Sequence, residues 1–312
     1  MLRTSAKPSR GSSAAVRSCA MLPPVGAFDL HPRGPFDLAA AAAFAFGPTE
    51  GEQRPARPSM ALAFCVDGFE ELAAVALTQD ADGVVHGQVE GADDLEAVRR
   101  QVARVLSLDH DGEAWLAVGA HDPVIGRLQA LNPGKRPVLF HSPYEAAAWS
   151  VISARRPAAQ GATVRDAIAQ RLGRVFEVDG ERLGAFPTPS RLLEVEPMPG
   201  LPAVKVERLH AVARAALAGE LDPARLVAMD VEAALEHVQR LPGIGPFYAT
   251  LIVVRATGHA DALATAEPRV REAAGHFYGL GGPATVEQLT ALAAAWRPFR
   301  TWATVLLRSS PR

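Results

Sequence analysis

The run Leu241-Pro242-Gly243-Ile244-Gly245-Pro246-Phe247-Tyr248-Ala249-Thr250 has the residue types and spacing to hold an anion. Gly243 and Gly245 separate two stretches with helical apolar spacing, Val231, Leu235 and Val238 before them and Tyr248, Leu251 and Ile252 after. Asp230 opens the first stretch as a helix cap and Pro246 opens the second. Glycine at both positions admits φ > 0 and lets another chain approach the backbone. The N–H groups of the tight turn, and of the next helix's first turn, then point outward without partners. Such a site suits a phosphate. A hairpin of this kind grips a nucleic-acid backbone without reading its sequence. The plain alternative is a helix–helix turn with no ligand.

Other chemistries find less support. Two cysteines, Cys19 and Cys65, allow neither a disulfide framework nor a cysteine-rich metal site, and suit a reducing cytoplasm. The histidines are scattered, and none falls in a His-Glu-x-x-His or similar metal spacing. No apolar run reaches the length that spans a bilayer. The net charge of −2 hides a gradient: 7 basic and 4 acidic groups over 1–60, 6 and 14 over 61–150, and 19 and 16 over 151–312. A mildly basic C-terminal half is compatible with DNA but not with a long electrostatic footprint.

The elements that must position the turn follow from punctuation and periodicity. Residues 1–26, rich in Ser, Ala and Arg and without an apolar signal core, read as a disordered leader. Pro35-Phe36-Asp37 opens an Ala-rich helix through about residue 46, and 47–59 is a loop. Strands are predicted at 61–66, 71–78 and 83–89, separated by Asp67-Gly68 and Asp82-Gly83 turns. Asp93-Asp94 caps a helix with Leu95, Val98, Val102 and Leu106 on one face. From about 109 onward ten helical segments are predicted, each opened or closed by Pro, Gly, Ser, Thr or Asp. The expectation is an α+β chain. A small N-terminal antiparallel sheet and helix domain occupies 27–108, and an all-helical two-lobed domain occupies 109–312.

With those segments in place, the chain resembles the helix-hairpin-helix DNA glycosylases, and among them the bacterial 3-methyladenine DNA glycosylase II group. The resemblance covers about 27–310. It rests on Phe36-Asp37, on Phe186-Pro187-Thr188-Pro189, on Leu241 to Gly245, and on Trp296-Arg297-Pro298-Phe299-Arg300-Thr301-Trp302-Ala303. It implies a monofunctional glycosylase that flips an alkylated purine out of duplex DNA and hydrolyses its N-glycosidic bond in base excision repair. The implied partner is double-stranded DNA with damaged bases. The protein is expected to be monomeric, cytoplasmic, nucleoid-associated and unattached to membranes. In the family a carboxylate past the hairpin stabilises the oxocarbenium-like sugar as the base leaves.

By the resemblance, Glu267 stands at the catalytic position, where relatives carry Asp, and Thr265 replaces a Pro. Glutamate keeps the charge but moves it by roughly one ångström, a displacement that can cost on the order of a hundredfold in rate. Alternatively Glu267, before Pro268, complements the dipole of a helix N-terminus. Asp261 is the other candidate acid, although its counterpart in relatives supports the loop. Leu241, Gly243 and Gly245 are the expected DNA-backbone contacts. Arg155 and Arg156 occupy the place of the wedge that fills the gap left by a flipped base, or are simply exposed cations. Phe247 stands where bifunctional relatives carry an attacking Lys, so no Schiff base can form there. Phe247 and Trp149 are candidate base-pocket residues, with core packing as the alternative. No cofactor is expected. The resemblance allows a monovalent cation on hairpin carbonyls, and the missing cysteines exclude an iron–sulfur cluster.

Two further readings compete. A catalytically weak or inert relative could bind DNA as a lesion sensor, because the expected Asp is Glu267 and the wedge is rewritten. A helical interaction protein would use the hairpin only as a turn.

Overall fold

The computed structural model describes residues 26–44, 59–265 and 267–311. Nearly all of the predicted leader, Cys19, and nearly all of the 47–59 loop lie outside the described residues. The chain opens with β1 (Gly26–Leu30), α1 (Leu38–Phe44), β2 (Ser59–Cys65), β3 (Leu72–Gln79), β4 (Val85–Glu90) and α2 (Leu95–Val105). The sheet is antiparallel throughout, in the order β1-β4-β3-β2. The Asp-Gly turns form where predicted, with Gly68 and Gly83 at φ 98° and 85°. Leu62, Val75 and Val89 pair in a row across three strands, all buried. Val98, Val102 and Leu106 of the α2 segment pack on the same core, and the Asp94 carboxylate accepts the Ala97 N–H to start that helix.

Two strand features were not predicted. β1 is a fourth strand paired with β4. The region expected to be wholly helical contains a β-hairpin, β5 (Arg174–Val178) and β6 (Glu181–Ala185). Its turn, Asp179-Gly180, holds both residues at positive φ, 49° and 75°, which is the turn type that matches strand twist. Phe176, Val178 and Ala185 pack on Ala63 and Ala74, covering the second face of the sheet. That cover explains why β2 and β3 read as continuous apolar runs rather than alternating ones. The α+β class stands, with this hairpin added to the helical part.

The helices are α3 (Gly112–His121), α4 (Pro123–Leu131), α5 (Pro143–Ser153), α6 (Ala158–Leu172), α7 (Pro189–Leu192), α8 (Ala203–Leu217), α9 (Pro223–Ala228), α10 (Val231–Gln239), α11 (Pro246–Ala256), α12 (Pro268–Phe277), α13 (Val286–Leu292) and α14 (Arg300–Ser309). A short 3₁₀ turn, Ala293–Trp296, joins the last two. Proline in the first turn sets several starts, with Asp122, Ser142 and Asp222 accepting N–H bonds as caps. These helices form two packed groups. One holds Ile152, Ile168, Leu209, Val238, Ile252 and their neighbours; the other holds Trp115, Ile125, Val270, Trp296, Trp302 and Leu307. Trp296 and Trp302 are buried. Packing crosses residue 108: Val138 joins the sheet core, and Gln101 Nε2 donates to the carbonyls of both Cys65 and His141.

Asp122 does three jobs in the second group. It caps α4, accepts the Trp296 Nε1–H at 2.9 Å, and accepts the Tyr278 hydroxyl. Burial and this carboxylate together push the Tyr278 hydroxyl up from its ordinary range. Asp122→Ala removes a cap and leaves the half-buried Tyr278 hydroxyl without its acceptor, while the Trp296 indole N–H keeps that hydroxyl, 3.1 Å away. The expected loss is about 2–4 kcal/mol in urea unfolding, the sum of a typical cap and one unsatisfied group. A loss under about 1 kcal/mol would show that neither bond matters to stability.

Candidate nucleic-acid interface and active site

The hairpin forms as predicted between α10 and α11. Leu241 and Ile244 are buried and pin the turn, with Ile244 N–H bonded to the Leu241 carbonyl at 3.1 Å. Gly243 has φ 90°. The positive φ favours glycine, and the nearest atoms to a Cβ there would be those of the flexible Arg208 side chain, with Cδ at 2.8 Å. Gly245 differs from expectation: it is extended, φ −91° and ψ 180°, and caps α11. A Cβ on Gly245 would meet nothing within 4 Å, so its outer side is open to an approaching chain. The N–H groups of Phe247 and Tyr248 precede the first intrahelical bond, Ala249 N–H to Gly245 O at 2.9 Å. These two N–H groups therefore have no intrahelical acceptor.

Phe247 is 67% exposed and touches the ring of Tyr248 edge-on, so it is not core. Trp149 lies elsewhere. With Phe140, Met60, Leu183, Glu145 and Arg165 it lines a cavity of about 750 Å³ between β2, α5, α6 and the β5–β6 hairpin. Glu145 is buried there and accepts bonds from Cys65 N–H, His141 Nδ1 and Arg165 Nη2. Burial pushes its carboxyl up, but His141 and Arg165 outweigh this and hold it below the usual range. Phe247 and Glu267 do not line this cavity, so the two candidate base-pocket residues are not brought together.

The expected wedge lies at the end of α5. Arg155 is exposed and sits at φ 57°, in the left-handed region; Arg156 is half-buried. Lys205 of α8, 9% exposed, donates from Nζ to the carbonyls of Ile152 at 2.8 Å and Ala154 at 2.9 Å. Burial, with Arg156 and Arg208 adding repulsion, pushes the Lys205 amine down to about 8. One turn further along α8, Arg208 lies over Gly243. Helix α8 therefore touches both the hairpin and the Arg155-Arg156 turn.

The two candidate acids are held differently. Asp261 accepts Arg300 Nε at 2.8 Å, Arg300 Nη2 at 3.1 Å, the Arg300 backbone N–H at 3.2 Å and Arg297 Nη1 at 3.0 Å. It anchors the start of α14. Glu267 caps α12 by position but makes no capping bond with its side chain. Its Oε1 accepts Arg308 Nη1 at 2.7 Å, and its side chain keeps 24% of its surface exposed. Arg255 is buried nearby, with Nη2 bonded to the Val138 carbonyl at 2.7 Å. Burial and the charge of Arg308 push Arg255 down to about 10, while Glu267 opposes the shift.

Sequence reasoning missed Lys205, Arg208, Arg255 and Arg308. Lys205 and Arg208 share a helix face at i and i+3, a spacing any surface helix can show. Arg308 pairs with a residue 41 positions away, which no local pattern announces. Among the described residues, no group of three or more His, Cys, Asp or Glu could hold a metal ion. Among them too, no helix is long and apolar enough to cross a membrane.

No family model matches the chain. Over 215 residues it is 30% identical to the probable bifunctional transcriptional activator/DNA repair enzyme AlkA of Mycobacterium tuberculosis, covering 68% of this chain and 42% of that one. It is 30% identical over 190 residues to DNA-3-methyladenine glycosylase 2 of Escherichia coli, covering 57% of this chain and 61% of that one. The chain thus spans less than two thirds of the length of either relative. In fold it matches the 3-methyladenine DNA-glycosylase from Archaeoglobus fulgidus with a TM-score of 0.69, at 21% identity, over 90% of this chain and 97% of that one. Hairpin, fold and sequence likeness agree: the chain is similar to DNA-3-methyladenine glycosylase 2 and has the fold of the 3-methyladenine DNA-glycosylase from Archaeoglobus fulgidus.

Proposed function

We propose that the protein is a monofunctional DNA glycosylase that removes alkylated purines of the 3-methyladenine type from duplex DNA. The observation that carries this reading is the contrast between the acids past the hairpin. The Asp261 carboxylate accepts four bonds from Arg297 and Arg300, which tie it to the start of α14, while the Glu267 carboxylate, at the N-terminus of α12, accepts one described bond, from Arg308. In this reading the outward N–H groups around Gly245 hold a backbone phosphate. Arg155 and Arg156 enter the minor groove and occupy the space vacated by the damaged nucleotide. Glu267 stabilises positive charge on the sugar as the base departs, and orients the water that completes hydrolysis. A cationic alkylated purine leaves without much help from a general acid.

The hairpin position of the attacking amine in lyases is held by Phe247, so the chemistry ends at an abasic site. The predicted product is a strand that remains intact until heated with alkali, read on a denaturing gel. Strand cleavage by the protein alone, trapped by borohydride, would contradict this. No cofactor enters the mechanism. A monovalent cation on carbonyls of the 241–245 turn belongs to the proposal only as a stiffener of the turn, and oxygen donors of an uncharged loop suit such an ion. The working form is proposed to be a cytoplasmic, nucleoid-associated monomer.

One observation favours the second reading, a lesion-sensing relative with weak catalysis. The ion pair with Arg308 neutralises Glu267 just where its charge is needed. Release of free methylated base from methylated duplex separates the readings, since a sensor binds the duplex and releases none.

A further inference from the structure

We infer that Lys205 is the positioning residue of the Arg155-Arg156 turn: its ammonium group clamps the last carbonyls of α5 and thereby fixes Arg155 in its left-handed conformation. The inference rests on the reading of this face as the DNA surface.

Helices commonly end with glycine in the left-handed region, followed by an N–H that returns to the helix carbonyls. Helix α5 ends otherwise. Its cap residue is Ala154, at φ −52° and ψ 127°, and the left-handed residue is Arg155 at φ 57°. A non-glycine residue is strained there and persists only where its surroundings over-determine it. The backbone supplies one local bond, Arg156 N–H to Ser153 O at 3.2 Å. What remains is supplied from α8. The Lys205 ammonium donates to Ile152 O and Ala154 O at 2.8 and 2.9 Å. The Ala154 carbonyl belongs to the peptide plane that leads into Arg155, so holding it sets the direction in which Arg155 leaves the helix.

Lys205 is buried, and its stem passes against the helical core rather than through solvent. Arg208, three residues on, covers Gly243. One rigid helix therefore sets the spacing between the phosphate-holding turn and the turn that probes the duplex. Burial first, and then the charges of Arg156 and Arg208, push the Lys205 amine down, which fits this picture. The three cations are gathered where a phosphate backbone would relieve their repulsion. A helix-capping lysine with no further role would also bond these carbonyls, so the test needs a readout that stability alone does not move.

The test compares Lys205→Met, of similar length without charge, and Lys205→Arg with the wild-type full chain. Three quantities are read: amide exchange at 154–156, affinity for an undamaged duplex, and the fluorescence rise of 2-aminopurine placed in that duplex as a probe of unstacking. For Lys205→Met the expected result is exchange at 154–156 faster by about tenfold, with the rest of the chain unchanged. Duplex affinity should stay within about threefold, and the 2-aminopurine response should fall by about fivefold or more. Lys205→Arg should keep that response. An undiminished 2-aminopurine response in Lys205→Met overturns the inference. So does a lost response with exchange at 154–156 unaltered, which would make Lys205 a direct DNA contact. Faster exchange throughout the chain overturns it as well, leaving Lys205 a general scaffold residue. A wild-type protein that binds no duplex sinks the DNA reading itself, and the inference with it. That outcome is distinct from all the others because the failure is in the wild type.

Discussion

Glu267→Gln should lower single-turnover release of 3-methyladenine from methylated duplex by about a hundredfold or more, the scale seen when one preorganised electrostatic group is removed from a transition state. Duplex affinity should stay within about threefold, because the proposed backbone contacts lie at the hairpin and not at α12. The amide is isosteric and keeps an oxygen for Arg308, so packing is little disturbed. What disappears is the negative charge that the proposal sets against the sugar. The Glu267 side chain is partly exposed, so the exchange touches a group at the surface rather than the core. Asp261→Asn should behave differently. It weakens the clamp on Arg297 and Arg300 that starts α14, so the loss appears in urea unfolding as well as in rate. If Asp261→Asn abolishes release with stability intact, the assignment of the two acids is reversed.

The second large effect concerns Arg308. Its guanidinium, 2.7 Å from the carboxylate, opposes any cation brought into the same space. At about 6 Å and an effective dielectric constant of about 20, two like charges repel by about 3 kcal/mol, and partial exposure reduces this. Arg308→Leu should therefore change substrate preference. Release of cationic 7-methylguanine, relative to neutral hypoxanthine, is expected to rise by about tenfold or more. The ratio is the informative quantity, because loss of the Arg308 contact also frees Glu267 to rotate and lowers both rates together. Arg308→Lys, which keeps the charge, should leave the ratio near its wild-type value. An unchanged ratio in Arg308→Leu would place the departing base away from Arg308.

Much of this architecture was legible in the chain. Many helices announce themselves because proline and short polar caps fix their starts, as Asp122-Pro123 and Ser142-Pro143 do, but α3 and α9, short helices opened by Asp111 and by Asp222-Pro223, were not predicted. The hairpin was legible because the positive φ at Gly243 calls for glycine. Gly245 was misjudged in conformation, since a glycine that serves as an open approach looks the same in sequence as one that needs positive φ. The β5–β6 hairpin carried a readable Asp179-Gly180 signal, but it is five residues on each side within a run of helices. β1 is equally short and finds its partner, β4, far along the chain. The site was legible only in part. The types and spacing of Glu267, Asp261 and Arg155 could be read, but their fates depend on long-range partners. Arg308 reaches Glu267 across 41 positions, Arg300 reaches Asp261 across 39, and Lys205 reaches Ile152 across 53. Tertiary packing creates those pairs, and no local period encodes them.

The most direct test of the central claim is the free base itself. Duplex DNA methylated at purines is incubated with wild-type protein and with Glu267→Asp, and the supernatant is analysed by mass spectrometry for 3-methyladenine and 7-methylguanine. The account predicts free methylated base from the wild type, with the sugar retained in an unbroken strand. No free base from the wild type, with duplex still bound and release appearing only in Glu267→Asp, would contradict it: the protein would then be a DNA-binding relative whose carboxylate stands out of reach.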